Sequence, residues 1–167
     1  KLMLEEKAFG ESSSTIVLEE KMNGLEASFF VVSDGKNFLP LLTAQDHKRI
    51  FDNDLGQNTG GMGSFAPSLL VDANMQEKIL NKIVLPTINA MRSEGTPFEG
   101  CLYAGLMIEN KEPRVVEFNA RFGDPETQAI LPLLESDLLE LFQNNVEKQL
   151  KGMELEKHKK QYFTKEY

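Results

Sequence analysis

The sequence predicts an α+β domain with a largely antiparallel sheet and helices packed on it. Three observations lead there. An Asp34-Gly35-Lys36 turn separates two apolar runs, a helical periodicity opens at Asp72, and two further β-rich runs flank residues 110–113. Strands therefore pair locally instead of alternating with helices in a βαβ wind. The 167 residues fit one domain of ordinary size.

Residues 15–20 (TIVLEE) form a short β-branched run and a predicted strand, followed by a bend at Met22-Asn23-Gly24. Residues 26–33 (EASFFVVS) and 37–43 (NFLPLLT) are predicted to pair across the Asp-Gly turn, with Pro40 placing the second run at an edge or a bulge. Residues 44–67 have almost no periodicity and read as one long loop, the first place to look for chemistry. From Asp72, an expected N-cap, to Arg92, the apolar residues Met75, Ile79, Ile83 and Met91 have helical spacing, which Pro86 would kink or divide. Residues 100–109 and 114–119 predict a second hairpin. Residues 131–134 and then Leu138, Leu141, Phe142 and Val146 mark one or two terminal helices, with Ser136 as an expected N-cap.

A net charge of -8 argues against a general nucleic-acid binder, so any phosphate site must be local. With 41% apolar and 26% charged residues and no long apolar run, the composition is not that of a membrane protein. The single cysteine, Cys101, lies in an apolar run and reads as a buried structural thiol, and the absence of an internal disulfide points to a reducing, cytoplasmic setting.

Polar chemistry concentrates in three places. In VVEFNARFGDPETQ, strand alternation puts Glu117 and Asn119 on one face and Val116 and Phe118 on the other, where they would anchor the strand in the core. A carboxylate and a carboxamide so placed suit a hard cation such as Mg²⁺, although from these residues alone a half-exposed strand with ordinary polar residues is the simpler reading. Arg121, Asp124 and Glu126 then crowd a turn with Gly123 and Pro125, where Arg121 would meet a phosphate or carboxylate, or else pair with Asp124 or Glu126. In the loop, Asn58, Thr59, Gly60, Gly61, Met62 and Gly63 form a glycine-rich NTGGMG segment that would let backbone amides approach an anion, although a plain turn is the simpler reading. QDHKR adds Asp46, His47, Lys48 and Arg49, and His47 has no partner at metal-ligand spacing. The other histidine, His158, is expected in solvent. The third place is residues 17–29 (VLEEKMNGLEASF), where backbone groups could meet a purine edge, Met22 could cover it and Glu26 could bond ribose hydroxyls.

Those segments, with GTPFEGCLYAGLM, resemble in order and spacing the second half of the ATP-grasp domain of the glycinamide ribonucleotide synthetase family, over about residues 16–142. The resemblance implies the C-terminal subdomain of an ATP-grasp fold. It implies ATP-dependent joining of glycine to 5-phosphoribosylamine through a glycyl-phosphate intermediate, with Mg²⁺ or Mn²⁺, in purine biosynthesis. Glu117 and Asn119 match the family's metal ligands, and Glu19, Glu20, Lys21 and Met22 match its hinge over adenine. Glu26 matches the acidic position near ribose. Arg121, Asp124 and Lys48 fall on the catalytic side, and Asp46 with the 58–63 loop on the substrate side. The hinge departs from the commoner Glu-Glu-Phe-Leu, and Tyr103, Ala104 and Gly105 stand where many ATP-grasp ligases carry an acidic metal ligand on the preceding strand.

On this reading residues 1–150 are a partial ATP-grasp domain and 151–167 a charged tail where a further domain would start. The remaining domains of the same polypeptide become expected partners, and the isolated piece is expected to be inactive. Two other classes compete: a nucleotide-binding module without turnover, and a purely structural domain whose polar clusters are surface networks.

Overall fold

The computed structural model describes residues 1–53, 55–157 and 163–166, the last stretch as backbone, and His158 lies outside them. After a 3-10 turn at Gly10–Ser14, residues 15–20 do not form the expected strand. Val17 and Leu18 are 80% and 89% exposed. A strand needs an adjoining edge for its N–H and C=O groups, and none of the described strands pairs with this segment.

β1 (Leu25–Asp34) turns into β2 (Phe38–Pro40) with Ser33 opposite Phe38 and Val31 opposite Pro40. Asp34 Oδ1 holds the turn, accepting from the N–H groups of Lys36 at 3.0 Å and Asn37 at 2.6 Å. Gly35 adopts a φ of +88°, open to glycine without penalty. β2 is an edge strand, as Pro40 predicts.

Residues 44–67 are not one irregular loop. They hold two short antiparallel pairs, β3 (Gln45–Asp46) with β6 (Gly63–Ala66) and, between them, β4 (Arg49–Phe51) with β5 (Leu55–Asn58). Strands this short leave no alternation to read.

Asp72 caps α1 (Ala73–Ile79) by accepting from the Met75 N–H at 2.8 Å. Pro86 neither breaks nor ends the helix. A π turn at Leu80–Val84 precedes it, in which the Leu85 N–H donates to Leu80 O, and α2 (Leu85–Ser93) resumes with Pro86 in its first turn. There the missing N–H costs least.

β7 (Glu99–Glu109) and β8 (Glu112–Asn119) form the second hairpin. Its Asn110-Lys111 turn has φ of 52° and 62°, the two-residue geometry that matches strand twist. α3 (Glu126–Ile130) and a 3-10 turn lead to α4 (Leu138–Val146). Its cap is Asp137, one residue beyond the expected Ser136, and Asp137 Oδ1 accepts from Leu139 N–H at 2.7 Å and Glu140 N–H at 3.1 Å. Ser136 Oγ instead accepts from the Glu156 N–H at 2.7 Å, tying down the chain after α4. Met153 and Leu155 pack against the core, Lys157 Nζ donates to Pro40 O at 2.8 Å, and β9 (Phe163–Glu166) pairs with β6. The charged final stretch thus includes an edge strand.

The α+β architecture is as predicted: one antiparallel sheet in the order β2-β1-β7-β8, a three-stranded sheet β3-β6-β9 and the small β4-β5 pair. β1 is buried on both faces. Phe29 and Val31, with Leu102, Ala104 and Leu106, pack on Met75, Ile79, Ile83, Val84 and Ile88 of the helical layer. Phe30 and Val32 point the other way, where Phe30 stacks on Tyr103 at 4.7 Å and the layer is closed by Leu41, Ala66, Ile130, Leu133 and Leu141. No helix among the described residues is long and apolar enough to cross a membrane.

Ile79 is fully buried between the helix and β1. Ile79→Ala should lower unfolding free energy by about 2–5 kcal/mol and Asp72→Ala by about 1 kcal/mol in urea titrations. Equal, small losses would mean that the helical layer is not integral to the core.

Candidate active site

The sheet face turned away from α1 and α2 changes character along β1. Phe30 and Val32 are covered, but alternation next presents Ser28 and Glu26. Across the ladder Ser28 lies opposite Gly105, Gly105 opposite Glu117, and Tyr103 opposite Asn119. A polar patch therefore adjoins one of the two cores.

Glu117 and Asn119 share a face, as predicted, and Asn119 Nδ2 donates to Glu117 Oε1 at 3.1 Å. The anchoring expected of Val116 and Phe118 is not found, for both are 43% exposed. A β-bulge explains Val116, whereas Phe118, opposite Ala104, is left exposed because β8 is the outer strand of the sheet. Leu106 faces Val115 while Gly105 faces Glu117, so Val116 is the extra residue; Val115 packs toward the core and Val116 lines the pocket beside Glu117. A Cβ on Gly105 would stand 3.1 Å from Glu117 Cγ, so the bare glycine makes room for the carboxylate. The donor set, one carboxylate and one carboxamide oxygen, fits a hard divalent cation completed by water and phosphate oxygens. Among the described residues no three acidic, histidine or cysteine side chains gather into a cage of their own.

Lys48 reaches across from the β3–β4 connection to Glu26, with Nζ 3.0 Å from Oε2. Burial disfavours its charge, but the Glu26 hydrogen bond and the carboxylates of Asp46, Glu26 and Glu117 outweigh that and raise its pKa. Asp46 lines the same pocket. Burial pushes its carboxyl up to about 6, Lys48 opposing and Glu126 and Glu26 adding to the rise.

Beneath them lies Glu126, only 3% exposed. Ser28 Oγ donates to Glu126 Oε1 at 2.9 Å, and having one proton to give, Ser28 must accept from Tyr103 Oη at 3.0 Å. Burial raises the Tyr103 phenol above its usual range, which keeps it a donor. A Cβ at Gly123 would collide with the Glu126 carboxylate. Arg121 does not pair with Asp124 or Glu126; it is exposed, and Nη1 donates to Phe122 O at 2.9 Å with no ion pair among the described residues. Asp124 accepts from Gln128 Nε2 at 2.8 Å.

The glycine-rich loop clasps the QDHKR segment. Thr59 N–H donates to Lys48 O at 2.6 Å, Met62 N–H to His47 O at 2.7 Å, and Gly61 N–H to Thr59 Oγ1 at 3.1 Å. Those three amides are engaged within the fold. Gly61 lies against Pro125, which places the segment on the Glu126 side of the molecule. A cleft of about 510 Å³ gathers Lys21, Met22, Glu26, Asp46, Lys48 and Asn58. Glu19 is exposed, and Glu20 is drawn outward by a two-point contact with Arg114 at 2.6 and 3.2 Å.

Residues 1–127 match the family described as phosphoribosylglycinamide synthetase, ATP-grasp (A) domain. The chain belongs to this family. It is 54% identical over 142 residues to a phosphoribosylamine–glycine ligase of Pasteurella multocida, covering 84% of the chain and 33% of that relative. It is 48% identical over 155 residues to that of Caldanaerobacter subterraneus, covering 93% and 37%. The crystal structure of phosphoribosylamine–glycine ligase from Thermotoga maritima superposes with a TM-score of 0.70 at 35% identity, over 87% of this chain and 36% of that one. The chain thus spans about a third of the length of the curated relatives it matches.

In this ATP-grasp domain, sequence reasoning missed Ser28, Tyr103, Gly105 and the buried role of Glu126. The signal for Ser28 was present, since it follows Glu26 at strand spacing. Tyr103 and Gly105 became visible only with the β7 register. Cys101 is half-buried and not fully buried as expected, packing on the edge of one core; its surroundings still push the thiol up to about 12, which keeps it protonated.

The raised Asp46 carboxyl has a stability consequence with a definite sign. Between the ordinary aspartate range and about 6 the folded state binds more protons than the unfolded, so stability is present below that window and is lost as pH rises through it. Asp46→Asn should remove this loss, gaining about 1–2 kcal/mol over the parent at pH 7.5 and little at pH 4, after allowance for solvent screening. Parallel stability curves for the two proteins from pH 4 to 7.5 would contradict it.

Proposed function

We propose that this chain supplies the cation- and phosphate-handling half of an ATP-dependent ligase that joins glycine to 5-phosphoribosylamine, giving glycinamide ribonucleotide, ADP and phosphate. The observation that carries it is the convergence of Glu117, Asn119, Lys48 and Asp46 beside a cleft that also contains the hinge residues Lys21 and Met22. Family membership supplies the reaction class, since its relatives are named for this ligation.

In this reading the backbone at Lys21-Met22, flanked by Glu19 and Glu20, receives the adenine edge, and Glu26 receives ribose hydroxyls. Glu117 and Asn119 hold Mg²⁺ or Mn²⁺, which when bound neutralises charge on the phosphates. Lys48 and Arg121 bring further positive charge to the transferred group, and Asp124 holds the turn that carries Arg121. Asp46 and the segment Asn58, Thr59, Gly60, Gly61, Met62 and Gly63 border the acceptor substrates. Glycine carboxylate attacks the γ-phosphorus and ADP departs. The amine of phosphoribosylamine then attacks the glycyl carbonyl, phosphate leaves with the bonding pair, and the amine proton passes to solvent. Position and charge drive both steps, so no dedicated base is needed. The cytoplasm is the natural setting for this reaction, and the relatives' remaining length would supply the opposing wall of the site.

The test is thermal stabilisation and calorimetry with ATP, with and without Mg²⁺. The 167-residue chain should bind ATP weakly and Mg²⁺ should strengthen that binding, without glycinamide ribonucleotide being formed when both acceptors are added. Glu117→Ala should abolish the Mg²⁺ dependence while changing stability by less than about 1 kcal/mol, because the side chain is exposed. Gly105→Ala should weaken it severalfold by displacing Glu117. Mg²⁺-dependent binding that survives in Glu117→Ala would refute the assignment.

A further inference from the structure

The sheet face that borders the large cleft ends in an arginine. Glu26 of β1 lies opposite Met107 of β7, and Met107 lies opposite Arg114 of β8. Cross-strand partners point to the same side, so the three side chains form a row at the cleft that Glu26 and Met107 line together with Lys21 and Met22. Arg114 reaches from the end of that row to the segment that carries Lys21 and Met22. Its Nη2 donates to Glu20 Oε2 at 2.6 Å and its Nη1 to Glu20 Oε1 at 3.2 Å.

This contact matters because the segment has so little else to hold it. Residues 16–23 belong to no helix or strand, and among the described residues their backbone makes no hydrogen bond to another backbone group. Among those residues, too, the Glu20 carboxylate provides the only side-chain hydrogen bonds and ion pair that the segment makes. Its other end is set by Gly24, where φ is +142° and a Cβ would collide with the Ile108 carbonyl, so the chain passes close over β7 before entering β1. Glu20 is thus one fixed point and Gly24 the other, with Lys21, Met22 and Asn23 between them. Met22 is half-buried between exposed neighbours.

We propose that Arg114 is a positioning residue for the base of the nucleotide: by holding Glu20, it sets the backbone of Lys21-Met22 where an adenine edge can hydrogen-bond to it. The inference rests on the nucleotide-binding reading above and adds the residue that forms the hinge before ligand arrives. A stretch without backbone partners samples many conformations, and a ligand that needs one of them loses affinity in proportion to the time that one is absent. A guanidinium fork on a carboxylate suits this task, since two bonds fix direction as well as distance. The side chains of Arg114 and Glu20 are 41% and 71% exposed, so their pair adds little to global stability. Its effect falls on where the hinge stands and not on whether the domain folds. Lys48, Glu117 and Asn119, the groups assigned to cation and phosphate, make their contacts elsewhere, so the effect is confined to the base.

The test is calorimetric titration of the chain with ATP and with inorganic tripolyphosphate, both in Mg²⁺, because the second probe has the phosphates without the base. Arg114→Met and Glu20→Gln should each weaken ATP about three- to tenfold and leave tripolyphosphate within about twofold. A general charge effect on an anionic ligand would move the two variants in opposite directions, since one removes a positive charge and the other a negative one. The double variant should be no weaker than the weaker single variant, as expected when both substitutions break one contact. Without ligand, trypsin should cut after Lys21 at least about threefold faster in both variants, at an unchanged thermal midpoint. The proposal is overturned if both variants keep ATP affinity within about twofold, if tripolyphosphate weakens as much as ATP, if the double variant shows the product of the single losses, or if cleavage after Lys21 is not accelerated. ATP and tripolyphosphate binding equally well to the parent chain would reject the latch alone, whereas binding of neither would reject the nucleotide reading and the latch with it.

Discussion

The ladder between β1 and β7 is the constraint on which the rest of the molecule depends. It runs unbroken from Leu25 opposite Ile108 to Asp34 opposite Glu99, and both strands contribute residues to each of the two core clusters. Because side chains alternate, one strand must satisfy two different layers, and Phe29-Phe30-Val31-Val32 does so with consecutive apolar residues. Burial of each large side chain contributes about 1.5–3 kcal/mol, so a slip of one residue would exchange the two layers and forfeit both. The same rule places the site. Where the apolar run gives way to Ser28 and Glu26, the covered face opens into the pocket, so core and chemistry share one register.

Glu126 joins that sheet to the smaller one. A carboxylate buried this deeply needs hydrogen bonds, and Ser28, itself supported by Tyr103, provides one from the central sheet. On the other side, Ser64 of β6 donates to Pro125 O at 2.9 Å, one residue before Glu126. The turn at residues 123–126 is therefore fastened to β1 and to β6 together. No buried side-chain polar atom among the described residues lacks a partner, so this polar layer is a fully satisfied seam.

Electrostatics in the pocket runs against the overall balance of the chain. Lys48 is the cation among Glu26, Asp46 and Glu117, and it lies where two carboxylates from different strands approach each other. The Lys48–Glu26 pair joins the residue expected near ribose to the one expected near phosphate.

The sequence alone determined the α+β class, both long hairpins, the Asp72 cap, the edge position of Pro40 and the shared face of Glu117 and Asn119. All of these follow from local periodicity and turn chemistry, which act over a few residues. What it could not reveal has a common physical cause. The short strands of residues 44–67 are too brief to carry a pattern, and residues 15–20 had the propensity of a strand but found no edge to pair with. The bulge at Val116 arises where β8 must match β7, so its displacement of Val116 is a property of two strands and not of one. The Glu126–Ser28–Tyr103 contact joins residues separated by 75 and 98 positions. Only tertiary structure decides such matters, because burial and partnership depend on groups that local sequence does not contain.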